Sequence, residues 1–170
     1  MKVKDCMCNE VCCVSPNSTI KDCAKLMMDN HIGCVPICDD SQKVVGVVTD
    51  RDIILRTIAC DKDVKTTPVS DIMSCNVCCC TPNTDINEAE KMMSQNQIRR
   101  IPVIDNDKIV GILTLGDLAA NENVNTQELC NTLENICGDN TKKQNNLHFS
   151  KRALLRALKY INYNNSYNIN

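Results

Sequence analysis

Residues 46–52 read Gly-Val-Val-Thr-Asp-Arg-Asp, and residues 111–117 read Gly-Ile-Leu-Thr-Leu-Gly-Asp. Around these stretches the chain nearly repeats itself. Residues 5–52 align with residues 71–117 at a shift of 66 positions, which becomes 65 after one residue is lost. Such self-similarity indicates the architecture before any single residue is considered. It predicts a pseudo-twofold pair in which each half covers the apolar face of the other.

Each copy has the same predicted order of elements: a short strand, a helix, two strands and a short helix. Apolar residues of the first copy recur at helical spacing after Thr19, which has the position of an N-cap; Asp85 has that position in the second copy. The predicted strands are residues 11–14, 34–38 and 44–48, then 78–80, 100–104 and 109–113, and the closing helices are residues 50 to about 58 and 115 to about 120. The sequence therefore predicts an α+β fold built from two β-α-β-β-α units.

The composition allows an aliphatic core. Hydrophobic residues make up 43% of the 170 residues, but aromatic residues only 2%, so Met and Cys are expected to fill gaps. No apolar run approaches the ~20 residues of a membrane span. The first residues lack the apolar stretch of a signal peptide, so a cytoplasmic location is expected.

Charge separates the C-terminal part from the rest. Residues 140–170 carry six positive charges and no negative one, which leaves a net charge of −8 for residues 1–139. An acidic body argues against nucleic-acid binding by the repeats.

The predicted divisions are 1–66 and 67–122 for the repeats, 123–161 for a helical extension and 162–170 for a disordered tail. The extension has helical spacing at 126–137 and a basic amphipathic helix at 150–161. That helix is a candidate contact for a protein partner or a membrane surface, but the favoured interpretation is that it packs on the acidic body of its own chain or on a second protomer.

Fourteen cysteines offer a second kind of chemistry. Cys75 and Cys78 have metal-ligand spacing, and Cys6 and Cys8 lie at the equivalent end of the first copy, so a metal or redox role is one alternative. Many of the cysteines, such as Cys12, Cys23, Cys34 and Cys78, fall on predicted buried faces, where cysteine acts as a small apolar residue. No metal ligand is therefore assigned.

The motif Gly-h-h-Thr-x-x-Asp, where h is apolar, has a direct chemical interpretation. A buried strand ends at Thr49 and a helix begins at once, so Thr49 can cap the helix and offer its hydroxyl to a phosphate. Asp52 lies one turn into the helix, where its carboxylate can accept hydrogen bonds from both hydroxyls of a ribose. Thr114 and Asp117 repeat this arrangement. The alternative is that Thr and Asp only cap their helix.

The duplicated plan, with its Val-Pro-Ile and Ile-Pro-Val strands and this motif, resembles a CBS domain pair, or Bateman module, of stand-alone type. The resemblance covers residues 1 to about 122. It implies two clefts that bind adenosine compounds such as AMP, ADP, ATP or S-adenosylmethionine as regulatory ligands, with no required cofactor, and a homodimer. It also implies that backbone groups near Val11 and Val77 contact the adenine and that Ile32 and Ile98 flank the ring. The remaining motif positions in these predicted sites are Pro36, Gly46, Pro102 and Gly111.

The two copies differ where a phosphate would lie. Arg99 and Arg100 stand in the second copy, where basic residues hold phosphates in related nucleotide-sensing proteins, whereas the first copy has Gly33 and Cys34. Arg51 has no counterpart in the second motif. The sequence therefore predicts two unequal sites.

No nucleophile–base set, P-loop or dinucleotide fingerprint is present, which predicts a non-enzymatic regulatory module. Two alternatives stay open at this point. One is a cysteine-based redox- or metal-responsive protein on the same scaffold, and the other is a ligand-free dimerisation scaffold.

Overall fold

The structure is a computed structural model that describes residues 1–138. The basic helix predicted at 150–161 and the tail at 162–170 lie outside the described residues. The helices and strands, in chain order, are α1 (Ile20–Asp29), β1 (Cys34–Cys38), β2 (Val44–Thr49), α2 (Asp50–Arg56), α3 (Ile86–Asn96), β3 (Arg100–Asp105), β4 (Lys108–Thr114), α4 (Leu115–Ala120) and α5 (Thr126–Cys137). Three-residue 3₁₀ turns occur at Val3–Asp5, Ile58–Cys60 and Val69–Asp71.

The strands form two hairpins. β1 pairs antiparallel with β2, with Cys34 opposite Thr49, and the register shifts between Ile37 and Cys38. β3 pairs with β4 in a separate two-stranded sheet. The mixture of helices and small antiparallel sheets confirms the α+β class, and six of the helix and strand predictions differ from the structure by no more than one residue at either end.

The strands predicted at 11–14 and 78–80 are wrong as regular strands. In the first copy a single parallel bridge joins Val14 to Ile37, and the amide of Cys38 donates to the Val14 carbonyl at 3.0 Å. To continue this ladder toward residue 12, the residue at position 36 would have to donate a backbone N–H. Pro36 has none, so pairing stops after one bridge.

Two compact units make up the fold, and neither is a continuous range. One unit comprises residues 9–79 and 102–111; the other comprises residues 1–8 and 80–101 and continues from 112. The core of the first unit is aliphatic with sulfur-containing residues, namely Ile20, Cys23, Met27, Val35, Ile37, Val48, Val69 and Ile72. In the second unit α5 packs against α3 and buries Leu129, Cys130 and Thr132.

No helix among residues 1–138 combines the length and apolar character that crossing a bilayer requires.

One carboxyl of α3 is buried. Glu90 is only 4% exposed, and its Oε1 has no hydrogen-bond partner among the described residues. Burial, with Glu128 adding negative charge, raises the pKa of Glu90 from 4.5 to about 7. Because the folded chain holds this proton more tightly than the unfolded chain, the free energy of unfolding falls as pH rises from about 4.5 to about 7.

We expect Glu90→Gln to raise the free energy of unfolding at pH 8 by on the order of 1–3 kcal/mol, because the amide carries no charge to desolvate. The same variant should flatten the fall in stability between pH 4.5 and 7, measured by urea unfolding at several pH values. Glu88→Gln changes an exposed residue of the same helix and should keep the slope of the unmodified protein. An unchanged slope in Glu90→Gln would contradict this assignment.

Candidate ligand site at the two helix starts

The helices α2 and α4 begin with the same capping box. Asp52 Oδ2 accepts from the Thr49 amide at 2.9 Å and from the Thr49 hydroxyl at 2.7 Å, and the Asp52 amide donates to Thr49 Oγ1 at 3.1 Å. Asp117 Oδ2 accepts from the Thr114 amide and hydroxyl, both at 2.8 Å. The capping predicted from the sequence is therefore present in both copies, and it uses one carboxylate oxygen of each Asp.

In each copy, the residue that precedes the first strand of the hairpin is hydrogen-bonded to the first residue of the closing helix. The Asp50 amide donates to the Gly33 carbonyl at 3.3 Å, and the Leu115 amide donates to the Arg99 carbonyl at 3.0 Å. Residues 33 and 99 are equivalent in the two copies. The Gly-to-Arg difference noted in the sequence therefore lies directly beside the Thr–Asp motif.

The second oxygen of Asp52 is already paired. Arg56 Nη2 lies 3.2 Å from Asp52 Oδ1. The same guanidinium donates through Nη1 to the Ile72 carbonyl at 2.6 Å and to the Ser74 hydroxyl at 3.1 Å. Three contacts therefore hold Arg56 in front of the Asp52 carboxylate.

The second oxygen of Asp117 has a different environment. The position equivalent to Arg56 is Asn121, whose side chain donates to Cys6 Sγ at 3.2 Å instead. No donor to Asp117 Oδ1 is found within residues 1–138. Burial is the main cause that raises the pKa of Cys6, and the nearby charges of Asp5 and Asp117 add to it. The second helix start thus presents an available carboxylate oxygen, which the first does not.

Arg99 and Arg100 are both exposed. Arg99 Nη2 makes one weak contact, with Cys137 Sγ at 3.7 Å. Neither guanidinium forms a salt bridge within the described part of the chain, so both charges are available to an anion.

The other predicted site residues divide between the two units. The first unit holds Val11, Ile32, Pro36, Gly46 and Arg51, together with Thr49 and Asp52; Pro36 and Gly46 are buried, and Arg51 is exposed. Ile98 belongs to the same unit as Arg99, Arg100, Thr114 and Asp117. Val77, Pro102 and Gly111, predicted for the second site, fall in the first unit. Their roles stay predictions.

Sequence reasoning missed Arg56. The available signal was the Asp52–Arg56 spacing of four residues, which brings opposite charges together on a helix. The contacts of Arg56 with residues 72–74 join segments separated by 16 and 18 positions, and no local pattern indicates them.

A hollow of about 340 Å³ lies elsewhere in the second unit, at the starts of α3 and α5. Its lining includes Met1, Asp85, Asn123 and Glu128 and none of the predicted site residues. Within residues 1–138, no three His, Cys, Asp or Glu side chains are arranged to hold a metal ion.

This duplicated fold, with a Thr–Asp helix start in each copy, defines a tandem CBS-type protein. The family model described as CBS domain matches residues 3–57 and 69–122, and the chain belongs to that family. It is 42% identical over 138 residues to CBS domain-containing protein YhcV of Bacillus subtilis (strain 168), covering 81% of this chain and 96% of that protein.

Two solved structures are also similar. Hypoxic Response Protein I with two coordinated zinc ions is 33% identical, with a TM-score of 0.66, over 70% of this chain and 97% of that one. The CBS domain pair of protein MJ0100 in complex with 5'-methylthioadenosine and S-adenosyl-L-methionine is 28% identical, with a TM-score of 0.64, over 70% of this chain and 93% of that one.

Gly46 lies in β2 where a side chain has no room. A Cβ at this position would lie 2.5 Å from Met73 Sδ and 3.2 Å from Met73 Cβ. We expect Gly46→Ala to lower the free energy of unfolding by about 1–3 kcal/mol, because Met73 must shift. In a Met73→Ala background the same substitution should cost clearly less, which a double-mutant cycle by chemical denaturation measures. An equal cost in both backgrounds would show that the Met73 contact is not the cause.

Proposed function

We propose that this chain is a non-enzymatic regulatory CBS pair that binds a phosphorylated adenosine compound, with its stronger site at the start of α4. The observation that supports the proposal is a difference between two equivalent carboxylates, of which only one has a donor on its Oδ1 atom. Asp52 Oδ1 is paired with Arg56, whereas Asp117 Oδ1 has no described donor.

The capping box limits what each Asp can offer a ribose. Oδ2 already accepts two hydrogen bonds in each copy, so a sugar hydroxyl is best accommodated by Oδ1. At Asp117 this requires only desolvation of the oxygen. At Asp52 the ligand has to displace a guanidinium that two further hydrogen bonds hold in place, which weakens binding.

The arginines favour a phosphate at the same place. Arg99 is fixed to the start of α4 by its carbonyl, and Arg100 follows as the first residue of β3. Guanidinium groups bind phosphate oxygens with two parallel hydrogen bonds. They repel the cationic sulfonium of S-adenosylmethionine, so nucleotides are the preferred class here. Among related structures, the MJ0100 pair holds two adenosine compounds, which supports the adenosine part of the ligand.

We expect titration calorimetry to show AMP or ATP binding more tightly than 5'-methylthioadenosine or S-adenosylmethionine. Asp117→Asn should weaken nucleotide binding about tenfold or more, because it removes a charged acceptor worth about 1.5–3 kcal/mol. Asp52→Asn is the matched control and should change the affinity less than about twofold, since its oxygen is occupied. Equal losses in both variants, or no binding of any of the four compounds, would contradict the proposal.

Releasing Asp52 should strengthen the weaker site. In Arg56→Met the aliphatic stem remains but the guanidinium that covers Asp52 Oδ1 is lost. We expect the calorimetric stoichiometry at a fixed nucleotide concentration to rise from about one toward about two per chain. Lys25→Met removes one exposed positive charge from α1 and should leave the stoichiometry at about one. A stoichiometry of one in Arg56→Met would show that Arg56 does not limit the first site.

Homodimer formation, a cytoplasmic location and a protein partner for the basic C-terminal segment stay predictions.

A further inference from the structure

The residues before α1 are fixed beside the end of β1. The Val14 amide donates to the Pro36 carbonyl at 3.3 Å, and the Cys38 amide donates to the Val14 carbonyl at 3.0 Å. Cys13 directly precedes this bridge, and its thiol is close enough to Cys38 to contribute to the raised pKa of that buried thiol. A disulfide needs a sulfur–sulfur distance of about 2.05 Å, so the two thiols must approach each other before the bond can form.

The two thiols differ in accessibility. Cys13 is exposed, whereas Cys38 is 6% exposed. A small oxidant can therefore reach Cys13 but not Cys38, and the buried thiol can react only with a neighbour. Cys23 and Cys34 are also close to each other, but both are buried, so no oxidant reaches either of them.

We propose that Cys13 and Cys38 form an oxidisable dithiol, which a low-molecular-weight disulfide converts into an intrachain disulfide that joins residues 11–14 to β1. This modification does not require the proposed nucleotide binding, although Val11 and Pro36 of the predicted first site lie in the segments that the bond would join. The bond would close a loop that contains α1.

The reaction has two exchange steps. With oxidised glutathione, the Cys13 thiolate attacks one sulfur and expels one glutathione thiolate, which gives a mixed disulfide at Cys13. Cys38 then loses its proton to solvent and attacks the Cys13 sulfur, which expels the second glutathione. Two protein thiols are oxidised, and one glutathione disulfide is reduced to two thiols.

The second step is the slow one. Burial, foremost, raises the pKa of Cys38 to about 12, and the neighbouring Cys13, Asp39 and Cys79 add to the shift. Since the thiolate is the nucleophile, closure should accelerate by up to about tenfold per pH unit between pH 7 and 9. The mixed disulfide should therefore accumulate first at pH 7.

Cys79 is a competing thiol, since it also contributes to the raised pKa of Cys38. It is only partly exposed, and its thiol contacts the Val77 carbonyl at 3.8 Å. Cys13 is exposed, and the residue after it accepts a hydrogen bond from the Cys38 amide, so Cys13 is the expected partner.

The test is incubation of the full-length reduced protein with oxidised glutathione, followed by alkylation and peptide mapping by mass spectrometry. We expect a Cys13–Cys38 cross-link that dithiothreitol reverses, and the same cross-link in Cys60→Ser, a control that changes an exposed cysteine elsewhere. Cys38→Ser should stop at the Cys13 mixed disulfide, and Cys13→Ser should leave Cys38 unmodified.

Cys38→Ala provides a second variant should a serine disturb the buried position, with folding checked by circular dichroism. A persistent mixed disulfide at Cys13 in the unmodified protein at pH 9, or a cross-link from Cys13 to Cys12 or Cys79 instead, would overturn the proposal.

Discussion

At each helix start, one aspartate oxygen accepts both the amide and the hydroxyl of the threonine that ends the preceding strand. This shared acceptor fixes the angle between strand and helix, and in return the threonine Oγ1 accepts a hydrogen bond from the aspartate amide. It also fixes the carboxylate, so that the remaining oxygen points in a defined direction. The chemistry available at either site then depends on what lies opposite that one oxygen.

The proline at the centre of β1 limits how the segment before α1 pairs with this strand. Pro36 lies opposite Val47 in the hairpin and its carbonyl accepts from Val14, but its missing N–H ends the pairing with the incoming segment. The segment therefore runs alongside β1 for one residue and is free to turn away. This leaves Cys13 at the surface next to buried Cys38, instead of inside a continuous ladder.

Sequence reasoning succeeded where local rules determine the structure. The hairpin strands, the helix over 126–137 and both capping boxes follow from periodicity and from residue spacings of three or four. It failed at 11–14 because the apolar pattern of those residues is strand-like, whereas the deciding group is a hydrogen missing from a residue 22 positions away. The Asp52–Arg56 pair was visible as a spacing, but its weight comes from Ile72 and Ser74, which only the tertiary fold brings close.

The duplication allows each difference between the copies to be interpreted against a shared backbone. Arg56 has Asn121 as its counterpart, and Gly33 and Cys34 have Arg99 and Arg100. In the first copy the positive charge belongs to Arg56, which forms an ion pair with Asp52. In the second copy the positive charges belong to Arg99, whose carbonyl accepts from the first amide of α4, and to Arg100 beside it. Both changes act in the same direction, because they remove competition for Asp117 and add attraction for an anion next to it. Helix capping is the same in both copies and does not depend on where the arginines lie. The difference in charge therefore favours a ligand that carries both a sugar and a phosphate.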